Sequence, residues 1–170
     1  TTALDAEVGG AGVALASSIT WQPFGGVTGL VFGNGLRETR AYDRAGRPTA
    51  ISSSSAALPS YRYARYDAAD NLLAVDIQGG TALGVSGVRE YRYDALQRLV
   101  FEGGASGGFS YAYDANGNRT QRDEQRADGS LLRRVLYRVA SASNRVHGAQ
   151  ARGDDYDLAG NLLRHHAGYA

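Results

Sequence analysis

One short phrase recurs along this chain and limits what it can fold into. It reads Tyr42-Asp-Arg-Ala-Gly-Arg-Pro48, Tyr66-Asp-Ala-Ala-Asp-Asn-Leu72, Tyr93-Asp-Ala-Leu-Gln-Arg-Leu99, Tyr113-Asp-Ala-Asn-Gly-Asn-Arg119 and Tyr156-Asp-Leu-Ala-Gly-Asn-Leu162. The tyrosines lie 66−42 = 24, 93−66 = 27, 113−93 = 20 and 156−113 = 43 residues apart. The last gap is near twice the others. It contains Tyr137-Arg-Val-Ala-Ser-Ala-Ser-Asn-Arg145, which keeps the tyrosine and a late Asn-Arg and reads as a decayed copy. A period in the low twenties accommodates two strands and two turns, so each copy is one hairpin of an array.

The local chemistry agrees. In Phe109-Ser-Tyr-Ala-Tyr113, aromatic residues alternate with small ones at the period of a strand. Asp suits the first position of a type I turn, where its carboxylate can accept backbone N–H groups. Gly suits the fourth, where φ is often positive. The turn-forming residues are therefore Tyr42, Asp43 and Gly46; Tyr66, Asp67 and Asn71; Tyr93 and Asp94; Tyr113, Asp114, Gly117 and Asn118; and Tyr156, Asp157, Gly160 and Asn161. Asp70 and Gln97 replace the glycine, and Gln97 is the poorer left-handed residue, so its turn is expected to be the most distorted.

The expected fold is all-β, a run of consecutive antiparallel hairpins in one segment covering 1–170. Residues 1–20 end a preceding hairpin, 21–41 form a hairpin rich in Trp and Phe, and 42–170 hold the five copies and the decayed one. Trp21 and Phe24 are expected to plug the core. Gly33-Asn-Gly35 marks a turn. Tyr61 and Tyr63 differ in parity from Tyr66, which calls for a bulge near Ala64-Arg65. Residues 122–135 are the best helical candidate, but Gly129 interrupts them. The 23 glycines and 3 prolines fit short strands joined by turns.

Several functions lose support. There is no cysteine, hence no disulfide or thiolate metal site. The net charge of +1, from 18 basic and 17 acidic residues, argues against duplex nucleic acid as a partner, while the exclusive use of Arg among the basic residues fits a GC-rich genome. No apolar run is long enough to span a bilayer, and the N-terminal residues lack the pattern of a signal peptide. Asp114-Ala-Asn-Gly-Asn118 lacks the Gly and Glu spacing of a calcium loop. His165 and His166 would face opposite sides of a strand. The recurring aspartates are explained by turn formation, so no catalytic, metal or cofactor residue is assigned. The dense Tyr and Arg allow two readings, cross-strand ladders between copies or a carbohydrate-binding adhesion surface.

The five copies of Tyr-Asp-x-x-Gly-Asn/Arg-Leu resemble the YD-repeat family, the Rhs proteins of bacteria and the teneurins of animals. The phrase Trp-Gln-Pro-Phe-Gly…Phe-Gly-Asn-Gly-Leu at 21–36 also resembles bacterial Rhs core sequence. The resemblance implies a long β-sheet spiralling into a hollow shell. In polymorphic-toxin members that shell encloses a C-terminal toxin domain. It further implies a non-enzymatic role, neighbouring repeats and the toxin domain as partners, and a secreted or cell-surface location. The family's proline-aspartate-rich closing segment has no match in these residues.

Overall fold

The computed structural model describes residues 2–8, 11–80, 86–140 and 146–147. Among them are strands and turns and no helix. The strands are β1 (Thr2–Val8), β2 (Ala11–Trp21), β3 (Val27–Phe32), β4 (Arg37–Tyr42), β5 (Pro48–Ser53), β6 (Pro59–Tyr66) and β7 (Leu72–Gly79). They continue as β8 (Gly87–Tyr93), β9 (Leu99–Gly104), β10 (Gly107–Tyr113), β11 (Arg119–Arg126) and β12 (Leu131–Leu136). Within each of the two units described below, strand order follows chain order. A short pair, β13 (Arg138–Val139) with β14 (Val146–His147), is separate. The residues with helical promise at 122–135 lie instead in β11, a turn at Gly129 and β12.

The chain divides into two units, Thr1–Arg89 and Glu90–Ala170. In the first, β1 to β7 pair in succession, each antiparallel to the next. In the second, β9 to β12 do the same. Sequence-neighbour pairing follows from the short turns, which leave a strand nowhere to go but back along its predecessor.

The expected bulge is present. Tyr63 faces Val75 while Arg65 faces Ala74, so Ala64 is the extra residue. It turns Tyr61, Tyr63 and Tyr66 to one face, and the first two rings stack at 6.5 Å. A second kind of bulge follows the turns. Tyr42 faces Pro48 while Ala41 faces Ala50, leaving Thr49 unopposed, and Leu73 and Thr120 repeat the arrangement. Each adds local twist beside a turn.

Among the described residues of each unit the paired strands form one layer, which leaves few side chains buried. Among the described residues the buried apolar ones are Ala16, Ala74, Val75 and Val135, all small or medium in size. This corrects the expectation for Trp21 and Phe24. Trp21 is 55% exposed and Phe24 112% exposed, because Trp21 ends β2 and Phe24 lies in the turn before β3, where no described residue covers the Phe24 ring. The main buried charge is Asp123, 7% exposed. It accepts two bonds from Arg134, at 2.7 and 2.6 Å, directly across the β11–β12 ladder, and one from the Gln121 amide at 2.9 Å.

Candidate functional site: the tyrosine–aspartate turns

Four described copies of the motif share one hydrogen-bond scheme. The Asp N–H donates to the carbonyl four residues on: Asp43 to Arg47 (2.9 Å), Asp67 to Asn71 (3.0 Å), Asp94 to Arg98 (3.0 Å) and Asp114 to Asn118 (2.9 Å). The residue at motif position five donates back to the Asp carbonyl. These donors are Gly46, Asp70, Gln97 and Gly117, with φ of 81°, 64°, 60° and 86°. This is a type I turn followed by a left-handed residue. Gln97 keeps the same bonds as the glycines, at 3.0 Å, so its turn is strained at one torsion and not otherwise distorted.

The aspartate side chain completes each turn from within. Its Oδ1 accepts the N–H groups two and four residues on: Ala45 and Arg47 for Asp43, Ala69 and Asn71 for Asp67, Leu96 and Arg98 for Asp94, Asn116 and Asn118 for Asp114. Its Oδ2 accepts from the position-six side chain. Arg47 and Arg98 donate through Nε at 2.7 Å, Asn71 and Asn118 through Nδ2 at 3.0 and 2.9 Å. All four carboxylates are held below the ordinary range. The leading cause is the position-six side chain for Asp43, Asp67 and Asp114, and the Arg98 N–H for Asp94. Three hydrogen bonds thus converge on each carboxylate, two on Oδ1 and one on Oδ2. Among the described residues no cluster of acidic, His or Cys side chains is arranged to hold a metal.

The tyrosines join one copy to the one before. Tyr66 donates its hydroxyl to the Pro48 carbonyl at 2.7 Å, and Tyr113 donates to the Leu99 carbonyl at 2.7 Å. In both cases the acceptor is position seven of the preceding copy. Arginine at position six reinforces the link. Arg47 lies 4.8 Å over the Tyr66 ring and donates to Asp70 at 2.8 Å. Arg98 lies 4.8 Å over the Tyr113 ring and donates to the Asp114 carbonyl at 2.9 Å. After the fourth copy, whose position six is Asn118, Arg119 takes the role and lies 4.8 Å over Tyr137. Tyr156, Asp157, Gly160 and Asn161, and the late Asn-Arg of the decayed copy, fall outside the described residues.

One copy is not evident from the motif alone. In Trp21-Gln-Pro-Phe-Gly-Gly-Val27, Gln22 N–H donates to the Gly26 carbonyl and Gly25 N–H to the Gln22 carbonyl, both at 3.2 Å. Tyr42 donates its hydroxyl to the Val27 carbonyl at 2.9 Å. Trp21 thus stands at position one and Val27 at position seven. Spacing carried the signal: 42−21 = 21 residues, and an aromatic leads the phrase. The difference lies in the turn. Pro23 precedes Phe24, and the left-handed φ of 57° falls on Phe24, one place earlier than in the sister copies.

The second unit also carries an open depression of about 440 Å³, lined among others by Arg92, Phe101, Gly108, Ser110 and Gln125. Its lining holds no carboxylate or imidazole to activate Ser110.

No protein-family profile and no curated protein matches the chain. Solved structures do. The crystal structure of TcdB2-TccC3-Cdc42 superposes with a TM-score of 0.65 at 19% identity, over 81% of this chain and 8% of that one. A Tc holotoxin pore from Photorhabdus luminescens gives 0.66 at 18% identity, over 82% and 8%. TcdB2-TccC3 without its hypervariable C-terminal region gives 0.66 at 19%, over 82% and 8%. The chain spans less than a tenth of the length of those chains. It has the fold of a segment of these toxin-complex chains, an array of antiparallel hairpins, and its repeated phrase resembles that of the YD-repeat family.

Proposed function

We propose that this chain is a non-catalytic wall segment of an Rhs-type shell that encloses a C-terminal toxin domain and helps deliver it. The observation that carries the reading is the tie from copy to copy. The motif's recurring side chains close a turn and grip the preceding turn, which is what a wall requires and an active site does not. The fold likeness to toxin-complex chains supports it. Its partners on this reading are neighbouring repeats and the enclosed domain, and its place is outside the producing cell.

The motif tyrosines do not support the adhesion reading. A sugar stacks on an open aromatic face, but Tyr66, Tyr113 and Tyr137 each carry a guanidinium over the ring.

The test is protease protection in the longer chain that contains this segment. Its C-terminal domain should resist digestion under native conditions and become cleavable once the array is unfolded. A C-terminal domain cut at the same rate with and without an intact array would refute containment.

A further inference from the structure

The open depression of the second unit is lined by one sign of charge. We propose that it is a docking site for an acidic, extended peptide segment, one of whose carboxylates is received by Arg92 and Arg126.

Strand pairing makes the depression. Gly107 faces Gly104 and Gly108 faces Gly103 across β9 and β10, so two successive cross-strand pairs leave the backbone bare. Phe101, Ser110 and Gln125 border this patch, and Arg92 and Arg126 complete a lining around about 440 Å³. Neither arginine is committed to an acid. Arg92 lies 4.4 Å over the Phe101 ring and makes no ion pair or hydrogen bond among the described residues. Arg126 uses Nη1 on the Ser130 hydroxyl at 3.3 Å and the Leu131 carbonyl at 3.0 Å, both neutral acceptors.

The neighbouring acids leave that charge largely uncompensated. Asp123, across from Ser110, is held by Arg134 and Gln121. Glu102 accepts the Tyr111 hydroxyl. Glu90, two places before Arg92 in β8, makes no ion pair with it. Asp128 accepts the Ser130 N–H and lies near enough to Arg126 to offset part of its charge, so Arg92 carries the larger share. No Asp or Glu belongs to the lining itself, and an entering carboxylate meets cations and no competing anion.

Shape selects the kind of anion. A small ligand is held by burial on most of its sides, and this depression is open. Its occupant must bring contacts of its own beyond the rim, as a side chain on a peptide does. A nucleic acid would require a longer series of cations and a ring free for stacking. Here there are two arginines, and the Phe101 ring already carries Arg92. A guanidinium fork suits a carboxylate, and the Ser110 hydroxyl and Gln125 amide can donate to peptide carbonyls.

Fluorescein-labelled hexaglutamate is the probe, read by fluorescence anisotropy at low ionic strength, with labelled hexaglutamine as the uncharged control. Hexaglutamate should bind and hexaglutamine should not. Arg92→Ala should weaken binding about fivefold, the share of one exposed ion pair. Gln125→Glu, nearly isosteric, should abolish binding by putting a carboxylate into the lining. Arg65→Ala removes an exposed arginine of the first unit and should leave binding unchanged. Urea unfolding checks that each variant is folded. Absence of hexaglutamate binding, equal losses in Arg92→Ala and Arg65→Ala, or full binding by Gln125→Glu would overturn the proposal. So would inorganic phosphate that displaces the peptide at equal molar concentration, which would make the depression a site for free anions.

Discussion

Tyr113 offers the sharpest test of how one copy holds the next. Tyr113→Phe removes only the hydroxyl that donates to the Leu99 carbonyl at 2.7 Å. A net hydrogen bond of this kind contributes about 1 kcal/mol. For a chain of this length that corresponds to a fall of about 3 °C in Tm. The ring remains under Arg98, so the stacking at 4.8 Å survives in this variant. Tyr113→Leu removes both contacts and should cost about 1 kcal/mol more. A double-mutant cycle separates the parts. Coupling between Tyr113→Leu and Arg98→Ala should be about 0.5–1 kcal/mol, while Tyr113→Phe and Arg98→Ala should be close to additive. The assay is thermal and urea unfolding followed by circular dichroism. If Tyr113→Phe is neutral and the Leu variant shows no coupling to Arg98, the motif's tyrosine does not join copies and the argument for a wall built on it fails.

Other outcomes follow from single positions. Gln97 holds a φ of 60°, so Gln97→Gly should raise stability by about 1 kcal/mol, read from the urea midpoint. Gly108→Ala should lower stability by about 1–3 kcal/mol, because the new Cβ would lie 2.3 Å from the Glu102 carbonyl oxygen. Gly117→Asn should be almost silent in the same assay, since its φ of 86° suits Asn and nothing lies within 4 Å. Acid should loosen the turns. Asp43, Asp67, Asp94 and Asp114 have folded values depressed by hydrogen bonds. Their contribution is therefore complete above the unfolded value of about 3.9 and is lost as pH falls below it through the depressed values. A Tm that stays constant from pH 6 down to strongly acidic conditions would contradict that assignment.

The sequence made the hairpins legible because turns are local. Asp114 and Gly117 announce their torsions without help from distant residues, and the parity break at Tyr63 and Tyr66 locates the bulge at Ala64. What it concealed depended on the third dimension. The Asn or Arg at position six is visible in each of the five Tyr-Asp copies. Its bond to the motif's own aspartate emerges only when the turn closes, and the reach of Arg47 to Tyr66 only when the next hairpin is laid alongside. Bulges at Thr49, Leu73 and Thr120 leave no compositional mark. The expectation for Trp21 and Phe24 failed for a related reason. Large aromatics are usually buried, but burial requires an opposing layer, and a tip projecting from one sheet has none.

The central claim is that each hairpin lies beside the next in chain order. Because the chain has no cysteine, engineered pairs report without background. Ala50 faces Arg62 across β5 and β6, and Phe101 faces Ser110 across β9 and β10. Cysteines at either pair should form an intramolecular disulfide under mild oxidation of the native protein, and a pair joining Ala50 to Asp76 should not. Failure of both facing pairs to close, with the protein folded, would contradict the hairpin array and every inference drawn from it.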